Sequence, residues 1–226
     1  GNILAAYFAK HMGVPIDKLI CASNENKVLY DFFTTGTYDR KRDFILTNSP
    51  SMDILISSNL ERLIYLSTGC DAEKNAELME NLSRNGAYTI TEEMKKAMSD
   101  FWGGFATQEE DGAMIRKVFK ETGYLMDTHT GVGAAVYQKY QKETGDQTKT
   151  VIASTASPYK FSRSVMEAIA GPQDEADEFA LIDKMSRLSG TEIPQAVEEI
   201  RTAPIRHNRE CSVEAMKAEV KDILKN

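Results

Sequence analysis

The sequence predicts an α/β fold, a parallel sheet flanked by helices and interrupted by a helical insertion. Two short apolar runs carry this reading: K-L-I-C-A-S at Lys18 to Ser23, and Val151-Ile152-Ala153. Both pass at once into small polar residues, as buried strands of a parallel sheet do at their carboxyl ends. Segments with helical spacing alternate with them, which is the rhythm of an α/β layer. From Asp71 to about Gly123 the pattern is almost wholly helical, with one short extended piece at Ala87 to Ile90. That block reads as an insertion rather than as further βα units.

In chain order, the first segment is G-N-I-L-A-A-Y-F-A-K-H-M-G. Ile3, Leu4, Tyr7, Phe8 and His11-Met12 fit a helix that Gly13 can stop. Gly1-Asn2 suits the helix N-terminus as a cap, and the same arrangement offers free N–H groups and a helix dipole to a phosphate. After the strand at 18–23 come Asn24, Glu25 and Asn26, and then a helix from Val28 to Phe33. Arg40, Lys41 and Arg42 lie in a polar connection over 36–48 and read as a solvated loop rather than a phosphate site. In S-P-S-M-D-I-L-I-S-S-N-L-E-R, Ser49 or Ser51 can cap a helix whose apolar face includes Met52, Leu55, Ile56, Leu60, Leu63 and Ile64. Trp102, the only tryptophan, sits beside Gly103-Gly104 in the helical block.

The α/β pattern returns at Tyr124-Leu125-Met126, which leads into D-T-H-T-G-V-G. Asp127, His129 and Thr130 then stand at a strand exit, and Gly131 and Gly133 permit close approach of a neighbour. An Asp-x-His pair admits an acid–base or metal reading. Two ligands are too few for zinc, and a structural, hydrogen-bonded histidine is the better account. A helix covers Val132 to Tyr140. The run T-V-I-A-S-T-A-S-P at 150–158 places Ser154, Thr155 and Ser157 where an open α/β sheet binds ligands. A neutral hydroxyl there suits a heteroaromatic ring nitrogen, and the same wording also serves as an ordinary strand-to-loop exit. Amphipathic helices follow, jointed at Gly171-Pro172 and over 202–211. The organisation expected is an α/β ligand-binding part over 1–48, a mainly helical insertion over 49–123, a return to the α/β part over 124–170, and C-terminal helices over 171–226.

Composition narrows the function classes. The 226 residues are 42% hydrophobic and 27% charged, which describes a globular chain with a core to bury. A net charge of −7 argues against nucleic acid or an anionic membrane as the main partner. No apolar run approaches a membrane span and no signal peptide is visible. Cys21, Cys70 and Cys211 are far apart and odd in number, which fits a reduced, cytoplasmic setting.

Taken together, the blocks G-N-I-L-A-A-Y (1–7), I-C-A-S-N-E-N (20–26), S-P-S-M-D-I-L-I-S-S-N-L-E-R (49–62), Y-L-M-D-T-H-T-G-V-G (124–133) and S-T-A-S-P-Y-K-F (154–161) resemble the C-terminal half of threonine synthase. The resemblance implies a pyridoxal 5′-phosphate enzyme of fold type II, of which this chain would hold an incomplete parallel sheet. It implies a lyase that converts O-phospho-L-homoserine and water to L-threonine and phosphate. Gly1-Asn2 matches the last two residues of the family's phosphate loop, and Thr155 matches the hydroxyl that meets the cofactor's ring nitrogen. Asn24 and Asn26 read as substrate-side or loop-positioning residues. No metal is implied.

The family's Schiff-base lysine, in a phenylalanine-lysine-aspartate context, has no counterpart here, and Lys160 belongs to the S-P-Y-K-F block. The expectation is therefore a chain without a catalytic residue of its own, inactive alone, whose partner is the missing N-terminal half. Unpaired strand edges would make such a chain prone to self-association. Two rivals are a threonine-synthase-like phospho-lyase and a non-catalytic folded interaction domain.

Overall fold

A computed structural model describes residues 1–225 and divides the chain into two units, 1–192 and 193–226. The first unit opens with α1 (Asn2–His11), capped by Gly1 and left through Gly13 at φ +97°. Strand β1 (Leu19–Ser23) follows, and then α2 (Val28–Thr35). Strand β2 (Thr37–Asp39) leads through a long connection and a 3-10 turn at Pro50–Met52 to α3 (Ser58–Ser67) and α4 (Ala72–Asn85). Next come β3 (Ala87–Thr89), α5 (Glu92–Ala97), β4 (Phe101–Phe105) and α6 (Gln108–Thr122). The unit ends with α7 (Thr128–Thr144), a second 3-10 turn at Pro158–Phe161, α8 (Ser162–Ala170) and α9 (Glu178–Ser189). The second unit holds α10 (Gln195–Thr202) and α11 (Met216–Ile223).

The parallel sheet consists of β1 and β4, in register with Cys21 opposite Gly103 and Ser23 opposite Phe105. The sequence reading gave 101–105 to the helical block; it is instead the partner of β1. Side chains alternate across a strand, so Gly103 and Gly104 face opposite sides. A Cβ on Gly103 would meet Phe33 Cβ of α2 at 3.0 Å, and one on Gly104 would meet Val136 Cγ1 of α7 at 2.6 Å. The two glycines thus let a helix lie directly on each face. Trp102 fills the space beside Gly104 and meets Tyr140 of α7 edge-on, with ring centroids 5.2 Å apart.

Between β1 and β4 the chain builds a separate core. Strands β2 and β3 pair antiparallel, and Tyr38 stacks on Tyr88 with centroids 5.5 Å apart. Phe32, Leu60, Leu63, Ile64, Leu78, Met94 and Met98 close around them. The tyrosine hydroxyl that ends inside this core is satisfied: Tyr38 donates to Leu55 O at 3.0 Å and accepts from Ser57 N–H at 2.7 Å.

Three expected elements differ. Val151–Ala153 is not a strand: Val151 is 95% exposed, and no strand among the described residues pairs with this segment. Its apolar contact is made instead against α7, where Ile152 Cγ2 lies 3.5 Å from the position a Gly133 Cβ would take. Asp127, His129 and Thr130 stand at the head of a helix rather than at a strand exit. The helix placed after Ser49 or Ser51 starts only at Ser58, with Ser57 as its N-cap. Side chains over 47–53 take the backbone groups that an earlier helix would need, as polar residues near Pro commonly do.

Candidate functional site

The carboxyl end of β1 delivers Asn24 and Asn26 into the interior, 2% and 3% exposed. Both spend their amides on the connection between β2 and α3. The Asn26 side chain pairs at two points with the backbone of Ile45: Nδ2 donates to Ile45 O at 2.8 Å, and Oδ1 accepts from Ile45 N–H at 2.9 Å. A strand neighbour would make the same pair of bonds. Asn24 Nδ2 donates to Asp53 Oδ1 at 2.7 Å and to Thr47 Oγ1 at 2.9 Å, and Asn24 Oδ1 accepts from Asn26 N–H at 3.1 Å. Asp53 is the hub. Besides the Asn24 bond, it accepts from Asn26 Nδ2 at 3.1 Å, Thr47 N–H at 2.9 Å and Thr47 Oγ1 at 2.7 Å. The asparagines of the sequence reading are therefore engaged in holding a loop.

The same loop reaches α7. Asp127, the N-cap, accepts from the N–H groups of His129 and Thr130 at 2.8 and 3.3 Å, and from the Thr130 hydroxyl. Burial opposes its ionisation, but the hydrogen bonds from His129 and Thr130 prevail and hold its carboxyl below the usual range. His129 Nδ1 lies 3.1 Å from Asp127 Oδ1, and His129 Nε2 accepts from Ser51 N–H at 3.1 Å. That network assigns the proton to Nδ1 and leaves Nε2 as an acceptor. The ring also meets Phe161, with centroids 4.7 Å apart. With 4% of its surface exposed and both nitrogens engaged, His129 joins the loop to α7.

A third fastening comes from α6. Asn48 Nδ2 donates to Asp111 Oδ2 at 2.8 Å, and Asn48 N–H donates to Gln108 Oε1 at 3.0 Å. Lys139 of α7 pairs with Glu110 at 2.7 Å and donates to Phe105 O at 2.8 Å, which ties the end of β4 to both helices. The basic run before the loop is committed too: Arg42 pairs with Asp31 at 2.6 Å, and Arg40 donates to Ser83 O at 2.9 Å.

The residues expected to meet a cofactor are on the outside. Gly1 and Asn2 are exposed at the head of α1, and no side chain takes the amides of its first turn. Thr155 is exposed, and its neighbour Ser154 stands 3.4 Å from both Thr130 Oγ1 and Tyr124 Oη. None of the described lysines is buried, and no group of three or more potential metal ligands occurs among the described residues. No helix among them is long and apolar enough to cross a membrane. Sequence reasoning missed Asp53, Thr47, Asn48 and Asp111. For Asp111 a signal existed: it precedes Met114 and Ile115 by three and four residues, which puts a carboxylate on the apolar face of α6.

Comparison with known proteins now gives this arrangement a context. The yeast threonine synthase structure superposes on 99% of this chain and 45% of its own, with a TM-score of 0.82 and 29% identity. A structure of pyridoxal-phosphate-bound threonine synthase from Brucella melitensis covers 80% of this chain and 39% of its own, with a TM-score of 0.69 and 39% identity. The class these likenesses define is that of the α/β pyridoxal-phosphate enzymes of fold type II. Residues 130–211 match the family model "Threonine synthase, C-terminal". Human threonine synthase-like 1 is 42% identical over 171 residues, and Saccharomyces cerevisiae threonine synthase is 38% identical over 187 residues. The chain spans 23% and 36% of those two relatives, so what it is similar to is the C-terminal part of threonine synthase.

Proposed function

We propose that this chain supplies one side of a pyridoxal-phosphate site in an enzyme that acts on O-phospho-L-homoserine. The observation that carries the reading is the likeness to threonine synthase structures over nearly the whole chain. The local chemistry supports it. The first-turn N–H groups of α1, which begin with that of Asn2 after the Gly1 cap and are taken by no side chain, fit a phosphate. The exposed Thr155 hydroxyl fits a pyridine nitrogen, to which it can donate one hydrogen bond without bringing charge. When bound, the cofactor is the electron sink for proton removal beside the substrate amine. Thr155 orients that ring and, being neutral, does not hold the ring nitrogen protonated as a carboxylate would. Asn24, Asn26 and Asp53 act indirectly by holding the 43–53 loop in one shape. None of the described lysines is buried and none stands in the family's phenylalanine-lysine-aspartate context, so on this reading the proton-transferring base belongs to another part of the enzyme and the chain alone forms no threonine.

The test is pyridoxal phosphate titration of this chain, followed through Trp102 emission, together with borohydride trapping and peptide mapping. Thr155→Val keeps the shape and removes the hydroxyl, and is expected to weaken binding by about 1–3 kcal/mol. Unchanged cofactor affinity in that variant would remove the assignment of Thr155. A single stoichiometrically labelled lysine together with threonine formation would overturn the account of this chain as the part without the base. Release of 2-oxobutyrate and ammonia, in place of threonine, from an enzyme containing this segment would favour the phospho-lyase reading.

A further inference from the structure

The loop over 43–53 is fastened to α6 by a contact to which the proposed function assigns no role. Asp111 has no exposed surface. It is joined to Asn48 by one hydrogen bond, from Asn48 Nδ2 to Asp111 Oδ2 at 2.8 Å. Each of these side chains has a second polar atom, Asp111 Oδ1 and Asn48 Oδ1, and both oxygens are buried without a hydrogen-bond partner. An ionised carboxylate and an amide carbonyl are acceptors only, so neither can satisfy the other. Two orphaned acceptors on one pair of groups are a costly arrangement in a protein interior. A proton on Asp111 Oδ1, given to Asn48 Oδ1, would remove both defects.

We propose that Asp111 is held as the neutral carboxylic acid and closes a two-point ring with the Asn48 amide, which makes Asp111 the positioning residue for the 43–53 loop. In that ring Asp111 Oδ1–H donates to Asn48 Oδ1, and Asn48 Nδ2–H donates to Asp111 Oδ2. Asn24 holds Thr47 and Ser49 on either side, and at Asn48 itself the ring adds a side-chain fastening to the bond from its N–H to Gln108 Oε1.

The surroundings favour the neutral acid. Burial pushes the Asp111 carboxyl up to about 7 against the lowering effect of the Asn48 hydrogen bond, and the Asp127 carboxylate adds to the rise. The charged groups on the elements packed around it are otherwise engaged. On α7, Asp127 is bound by His129 and Thr130, and Lys139 is paired with Glu110 of α6. On α6, Arg116 donates to Ala168 O. On α8, Arg163 is paired with Glu178, and Glu167 brings no positive charge. Lys160 of the 3-10 turn lies over the Phe161 ring. No cation pairs with Asp111 among the described residues. In the unfolded chain an aspartate titrates near about 3.9. Between that value and about 7 the folded protein holds a proton that the unfolded chain lacks. Stability must therefore fall as pH rises through this window and level off above it.

The experiment compares the full chain with Asp111→Asn and Asp111→Leu, from about pH 5 to about pH 8.5, by urea midpoint and by chymotryptic cleavage at the exposed Phe44 and Leu46. In the unaltered protein the midpoint is expected to fall as pH rises, and cleavage, taken at each pH relative to an unstructured peptide because chymotrypsin's own histidine base titrates in this range, to quicken by up to about a hundredfold, tenfold for each pH unit between about 5 and about 7. An asparagine at 111 offers N–H where the acid offers O–H, so Asp111→Asn keeps the ring at every pH and is expected to give flat profiles. Asp111→Leu has no ring and is expected to be cleaved at the fast rate throughout. The Asn variant keeps the shape of the site and decides the matter if the Leu variant does not fold. An Asp111→Asn profile that follows the unaltered protein, or cleavage indifferent to pH in the unaltered protein, would overturn the proposal.

Discussion

Among the glycines, Gly131 near the head of α7 leaves the least room for a Cβ, and Gly131→Ala tests that packing. A Cβ there would stand 2.0 Å from Asp111 Oδ1 and 2.8 Å from Ile115 Cγ1, and both side chains are fully buried. Neither can swing into solvent, so the extra methyl must part α6 from α7 or break the Asn48 bond to Asp111. Overpacking of this kind costs typically 1–3 kcal/mol, and the rigid setting argues for about 3 kcal/mol. Alanine returns up to about 1 kcal/mol through its better helix propensity. The net loss is then about 2 kcal/mol, which at a urea slope of about 2 kcal/mol per molar moves the midpoint down by about 1 M. Trp102 fluorescence is the readout, since its ring lies against α7. The clash is shared between two residues, so Gly131→Ala combined with Asp111→Ala should lose less than the two single changes added together. A midpoint equal to or above that of the unaltered protein would refute the reasoning, because propensity would then be the only term that counts.

Asp53→Ala removes the common acceptor of Asn24, Asn26 and Thr47 and leaves buried amide donors unpaired; a loss of about 2–4 kcal/mol is expected, with Asp53→Asn intermediate. Hydrogen exchange at the amides of Ile45 and Thr47 checks it, and unchanged protection would mean that the loop is held by something else. His129→Asn should cost about 1–3 kcal/mol in thermal unfolding, because Ser51 N–H loses its acceptor. A normal melting temperature, together with a lost limb of the pH–rate profile in an enzyme containing this segment, would show His129 acting in the chemistry instead.

Much of the fold was legible because its signals are local. The strand at 19–23, the helix after it, and the glycine that ends α1 follow from apolar period, polar punctuation and left-handed backbone freedom at Gly13. Strand β4 was not legible, because F-W-G-G-F carries two residues with little strand preference. The structure shows why glycine is there: Phe33 and Val136 press on the two faces, and any larger side chain would hold a helix off the sheet. At 151–153 the converse error arose. Three apolar residues read as a buried strand, but a strand needs a neighbour for its N–H and C=O groups, and this stretch lies over Gly133 of α7 with none among the described residues.

The site was harder to read for a related reason. Asn26 makes with Ile45 the pair of bonds that a strand would make, and Asn24, Asp53 and Thr47 complete a loop that has no secondary structure of its own. Nothing in the period of the sequence marks such bonds, since they run through side chains between residues from 6 to 29 positions apart. Their burial is what gives them weight. A surface asparagine loses little when its partner is removed, whereas Asn24 and Asn26 have exchanged water for Asp53 and the loop backbone and cannot get it back. The loop behaves on this argument as a substitute for a third strand at the carboxyl end of β1. Its three attachments, to β1 through Asn26, to α7 through His129 and to α6 through Asn48, set its shape more firmly than any one of them could.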